Sequence, residues 1–152
     1  MNKLNRLAAK VGDNLQSVVL LVIRLYWGWG FFQTGKGKLL HLDRTAQYFA
    51  TLPYVQMAPK LNAIMAGGTE CFGGLLLLLG LWSRLVPLPL IGTMLVAYVT
   101  AENEALHAFF SNPDKFTGAD PFLFLLAALL VFVFGPGQVS VDALVGKKSA
   151  SG

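Results

Sequence analysis

The sequence predicts an all-α integral membrane protein, a four-helix transmembrane bundle with a short interfacial helix between spans one and two. Composition, charge spacing and the absence of strand-like alternation together carry that prediction. Of 152 residues, 55% are hydrophobic and only 13% are charged, against about 25% charged in a typical soluble domain. So little charge cannot solubilise so short a chain, which excludes a cytosolic enzyme, and the abundant apolar surface excludes disorder. The charges fall in clusters separated by long apolar runs. Residues 14–35 hold one charge, Arg24; 61–83 hold one, Glu70; 85–101 and 121–141 hold none. A helix crosses about 30 Å of hydrocarbon with roughly 17–25 predominantly apolar residues, and only helices satisfy their own backbone in lipid without closing a barrel.

Span one covers 15–35. Lys3, Arg6 and Lys10 precede it like the basic region of a signal peptide. The run that follows is too long for one, carries Arg24 and lacks a small-x-small cleavage site, so it reads as a retained helix. Residues 36–60 include Asp43 to Met57, where Ala46, Phe49, Ala50 and Pro53-Tyr54 suggest an amphipathic helix at the interface. Span two covers 61–82, and Trp82-Ser83-Arg84 leaves a tight turn into span three, 85–101, with Pro87 and Pro89 in its opening turns. Residues 102–120 read as a solvated acidic loop, with Phe109-Phe110 able to dip into the headgroups. Asp120-Pro121 is the pattern of an N-cap followed by proline at the first helical position. It opens span four, 121–135, which Gly135-Pro136-Gly137 stops. Ser140-Val141-Asp142 begins a short cytoplasmic or interfacial turn, and Lys147 to Gly152 reads as a loose polar tail. With no repeat and no linker, residues 1–152 form a single membrane domain. An even number of spans puts both termini on one side. Its six Lys and Arg against five opposite, with the basic N-terminus breaking the near-tie, place the termini in the cytoplasm.

Intramembrane ionisable residues mark functional positions, because each costs roughly 2.5–3.5 kcal/mol to insert. Arg24 and Glu70 lie on consecutive antiparallel spans. If Leu15 is set level with Trp82, the two side chains are about 5 Å apart in height, close enough for a salt bridge. Ala63, Gly67, Cys71 and Gly74 form a small-residue stripe on span two of the kind that lets helices approach. Arg24, Gly28, Phe31, Gly35 and Lys38 share one face of span one. Such a pair either fixes helix register or forms a proton or ligand site, for example for a quinone headgroup.

Other chemistry is weakly signalled. His41 and His107 lie in polar segments rather than inside spans, so a haem or metal role is disfavoured, and no metal site is expected. Glu102 and Glu104 beside His107 read as a solvated acidic loop. One cysteine, Cys71, provides neither a disulfide nor a CxxC pair, and cannot alone hold zinc or an iron–sulfur cluster. Gly35-Lys36-Gly37-Lys38 lacks the spacing of a phosphate-binding loop. The pI near 9.4 comes from a few membrane-flanking charges, so no nucleic-acid partner is implied.

Arg24-Leu25 with Gly28, Phe31-Phe32, Gly35 and Lys38 resembles the opening motif of the DoxX family of small bacterial and archaeal membrane proteins. The resemblance continues through Phe49, Glu70-Cys71-Phe72-Gly73-Gly74, Leu77 to Gly80 and Ser83-Arg84. It closes with Gly135-Pro136-Gly137 and Ser140-Val141-Asp142, roughly residues 15–145 in all. The resemblance implies four spans and a setting of quinol oxidase, thiosulfate:quinone oxidoreductase or thiol-stress complexes. It also carries over Arg24, Lys38, Glu70 and Arg84 as the matching polar positions.

The function this suggests is a small plasma-membrane subunit of a respiratory or stress-related oxidoreductase system. Arg24 and Glu70 would form its working pair, with Lys38 and Arg84 as cofactor-contacting charges at opposite interfaces. No intrinsic cofactor is expected, so redox work needs a quinone or a partner subunit. Expected associations are the lipid bilayer, such a subunit or further copies of the chain. A scaffold recruiting a partner through 36–60 and 102–120, or a small-solute or proton transporter, are the alternatives. Against the last stands the lack of inverted repeats.

Overall fold

The computed structural model describes residues 3–149, all of whose regular elements are helices. The first, α1, runs unbroken over Lys3–Leu40. Its 38 residues make it about 57 Å long, absorbing both the basic N-terminal segment and span one. Then follow α2 (Leu42–Phe49), α3 (Pro59–Leu79), α4 (Pro87–Thr100), α5 (Asn103–His107), α6 (Pro113–Thr117), α7 (Pro121–Phe134) and α8 (Val141–Ser149). Among the described residues, α1 and α3 are the helices long and apolar enough to cross a membrane, while α4 and α7 are shorter apolar helices. Fourteen residues in each of α4 and α7 rise about 21 Å, short of the full hydrocarbon thickness.

Sequence punctuation places the ends. Proline opens α3, α4 and α7, where its missing N–H costs nothing. Gly80 closes α3 in the left-handed conformation, φ 66°. Gly135 at φ 80° and Gly137 at φ 76° turn the chain out of α7.

Four local expectations change. The interfacial helix is shorter than residues 43–57, ending at Phe49. Pro53 has no N–H for a helical ladder, and Tyr54 turns left-handed at φ 68°. Asp120 makes no capping bond, because its own backbone is already helical. The supposed solvated loop at 102–120 folds into α5 and α6. There Phe116 stacks on Tyr98 with ring centroids 4.7 Å apart, and the Tyr98 hydroxyl donates to the Phe116 carbonyl at 2.8 Å. Finally, the supposed tail is helical through Ser149, because the Ser140 hydroxyl accepts the Ala143 N–H at 3.1 Å and caps α8. Residues 150–152 of that tail lie outside the described residues.

The tightest packing joins α1 to α3 through glycines. A Cβ on Gly74 would sit 2.7 Å from the Gly28 carbonyl oxygen, and one on Gly35 would sit 2.6 Å from that of Gly67. Both lie well inside van der Waals contact, so any side chain there must push the helices apart. Beside that contact, Phe31 joins Leu77, Val86, Leu90, Met94, Ala128 and Val131 in the buried core.

Candidate ligand site

The glycine contacts fix the register of α1 against α3, and the register decides which ions meet. Arg24 comes level with Gly80, where an added Cβ would lie 2.6 Å from a guanidinium nitrogen. In the alignment expected from sequence, Ser17 holds that level. The seven-residue slide, about two helical turns, puts Arg24 and Glu70 about 15 Å apart along the axis, so the expected Arg24–Glu70 pair does not form.

Glu70 pairs instead with Lys38. The Glu70 Cα lies about one turn from that of Lys38 in height, and in antiparallel helices each Cα–Cβ bond leans toward the other residue. Gly67 makes room for the lysine stem, since a Cβ there would touch Lys38 Cβ at 3.1 Å. The Glu70 side chain is 3% exposed and that of Lys38 is 29% exposed. The pair is therefore desolvated on the acid side and open on the amine side.

The open side faces a cavity of about 530 Å³ bounded by α1, α2, α3, α4 and α7. Lys38, Glu70, Thr34, Asn62, Thr69 and Thr93 are among its polar lining residues, and Leu52, Met65, Met94 and Phe124 are among its apolar ones. The Thr34 and Thr93 hydroxyls donate to the Phe31 and Leu90 carbonyls at 3.0 and 2.8 Å, leaving oxygen lone pairs as their free hydrogen-bonding capacity. Tyr48 and Phe49 of α2 line the cavity too, as do Glu102 and Asp120, so it belongs to the end of the bundle away from the termini. This size and mix suit a small amphipathic molecule.

Arg24 occupies the opposite end. Its side chain is 1% exposed overall, and its guanidinium donates to the Pro136 carbonyl and, at 2.8 Å, to the Val139 carbonyl. Asp142 completes this end by accepting the N–H groups of Trp82 and Ser83 at 2.9 and 2.8 Å. Burial pushes the Asp142 carboxyl up, but the bonds from Ser83 and Trp82 and the charge of Arg24 outweigh it and hold the group below its ordinary value. Arg84 is exposed at this same end, its guanidinium beside Gly135. The four polar positions expected to serve the site therefore divide: Lys38 and Glu70 line the cavity, while Arg24 and Arg84 stand at the far end.

A model of the DoxX family matches residues 19–103, more than half of the chain and all four of those polar positions. The chain belongs to the DoxX family. The match stops short of the terminal glycine-proline-glycine and Ser140-Val141-Asp142 motifs, which the resemblance in sequence had included. A relative in Haemophilus influenzae, itself uncharacterized, is 26% identical over 132 residues, covering 86% of this chain and 85% of its own. No solved structure matches. Family membership and the apolar helices together make this DoxX protein a small helical membrane protein.

Sequence reasoning missed the carboxylate of Asp142, which ties the α3–α4 turn to α8, and the Tyr98–Phe116 clasp. The serine-x-aspartate motif was the available signal for the first. For the second there was only a buried tyrosine in an apolar run, which needs a partner for its hydroxyl.

Proposed function

We propose that this DoxX protein is a four-span protein of the bacterial plasma membrane that binds a quinone headgroup in the cavity beside Lys38 and Glu70. It would serve there as a small subunit of an oxidoreductase system. The observation that carries the reading is a buried ion pair opening onto an apolar cavity of about 530 Å³. Its α4 and α7 would complete the four spans with the turns that flank them. With the basic N-terminus inside, the cavity lies toward the outer leaflet, where a lipid-soluble ligand enters from the bilayer.

The donor set fits a quinone. Lys38 would donate to a ring oxygen, Glu70 would exchange protons with the bound headgroup, and Met65, Met94 and Phe124 would pack its ring. A bound quinone supplies two-electron, two-proton chemistry, with the electrons coming from a partner subunit. Arg24 is not part of this site, because it lies at the opposite end of the bundle, where two of its guanidinium nitrogens donate to backbone carbonyls.

The test is thermal unfolding of the detergent-solubilised protein with and without ubiquinone-1 or menadione. Quinone should raise the midpoint of wild type, and Glu70→Gln should fold but lose that shift. If neither quinone shifts the wild-type protein, the reading is wrong.

A further inference from the structure

The outer face of α1 carries a heptad seam that nothing among the described residues covers. Intervals of four and three residues lead from Leu4 through Ala8, Val11, Leu15 and Val18 to Val22, and all six are exposed. Leu15, Val18 and Val22 are 58%, 56% and 58% exposed.

Lipid accounts for such exposure only where the bundle accompanies the helix. The inner face of α1 becomes buried at Leu20, Arg24, Gly28 and Phe31, whereas every residue from Leu4 to Gln16 is exposed. The neighbouring helix α3 ends level with Arg24, and the α3–α4 turn carries Trp82 and Arg84, residue types that anchor at a membrane interface. Ser17 still packs against Gly137, so it is residues 4–16 that overhang the bundle, by about 20 Å, with apolar side chains in a segment whose charges mark it as aqueous.

The charges leave the seam open to an identical helix. Arg6, Lys10 and Asp13 all lie away from the seam, at the outer heptad positions. The positions that flank a coiled-coil seam are Asn5, Leu7, Gly12 and Asn14. None of these is charged, so they offer no selective pairing to a charged partner helix and no repulsion to an identical one.

We propose that a second copy of this chain covers the seam, the two α1 helices forming a parallel two-stranded coiled coil over the overhang that continues into the bilayer at Val22. Two copies inserted the same way in one membrane are related by a two-fold axis along its normal, which sets identical helices parallel and in register. The geometry rests on the membrane-spanning reading above. It also leaves the cavity free, because the seam lies on the face of α1 opposite Arg24, Phe31 and Gly35.

The test is oxidative cross-linking of the full chain in native membranes, with single cysteines at Val11, Leu15 and Val18 on the seam and at Lys10 and Asp13 off it. Paired seam positions come within disulfide reach, Cα atoms about 4.4–6.8 Å apart. The expected result is at least a ten-fold excess of dimer at the seam positions, with no dimer from the native Cys71 alone. Equal cross-linking everywhere, or none, overturns the proposal. Alkaline extraction of the same membranes separates the two readings. A chain that stays in the membrane without seam cross-links sinks the coiled coil alone, whereas a chain that is released sinks the membrane reading and the coiled coil with it. As a second readout, the double variant Val11→Asp with Leu15→Asp touches no bundle contact and should halve the particle mass in detergent. A dimer that persists in that variant also overturns the proposal.

Discussion

The two ends of the bundle each bury an ionisable residue of the first two long helices, and they satisfy it in opposite ways. At the terminal end Arg24 meets backbone: the Pro136 and Val139 carbonyls accept from its guanidinium, and Asp142 beside it is bound by the Trp82 and Ser83 N–H groups. At the other end Glu70 meets one partly exposed side chain, Lys38, beside a cavity. A guanidinium bonded to two carbonyls of the α7–α8 link ties α1 to that link and is held in place by backbone. A carboxylate held by a single flexible amine can trade that partner or its proton. Intramembrane charge alone therefore does not identify chemistry; what the charge is bonded to does.

The largest expected effect breaks the terminal end. Arg24→Gln removes charged donors from two partly buried carbonyls, each such bond worth about 1.5–3 kcal/mol. Thermal unfolding in detergent should show a loss of roughly 3 kcal/mol or more. Arg24→Lys should recover little, since a single ammonium lacks the fork that reaches both oxygens. A wild-type midpoint in Arg24→Gln would remove the contrast between the two ends.

A smaller effect sharpens it. Because Asp142 is held below its ordinary value, its ionised form stabilises the fold. That contribution is complete above the unfolded carboxyl value, about 3.9, and is lost as pH falls through the lower folded value. Asp142→Asn keeps an acceptor but not the charge. At neutral pH it should cost about 1 kcal/mol, and below pH 4 its stability should fall less steeply than that of wild type. Parallel acid-unfolding curves would show that Asp142 is not engaged as described.

Much of the fold was readable from the chain. Charge-poor runs located α3, α4 and α7, and proline and glycine located their ends. The register of α1 against α3 was not readable, and the reason is geometric. Sliding one helix by seven residues, two turns, presents nearly the same face again, so Gly28 and Gly35 meet a small-residue stripe in either alignment. Only the close approach at Gly35–Gly67 and Gly28–Gly74 chooses between them. The start of span one gave no help, because α1 continues helically past Asn14 to Lys3. Glu70 and Lys38 were both legible as polar positions, but their pairing depended on that register. The partners of Arg24 carry no side-chain signature at all, since they are carbonyls that any residue would supply.

The most direct measurement is a pair of double-mutant cycles on unfolding free energy, one crossing Lys38→Met with Glu70→Gln and the other crossing Arg24→Gln with Glu70→Gln. Residues in direct contact couple by about 0.5–3 kcal/mol, and distant ones add within roughly 0.5 kcal/mol. Lys38 and Glu70 should couple by more than 1 kcal/mol while Arg24 and Glu70 add. Coupling between Arg24 and Glu70 with additivity at Lys38 would contradict the register, the ion pair and the site built on them.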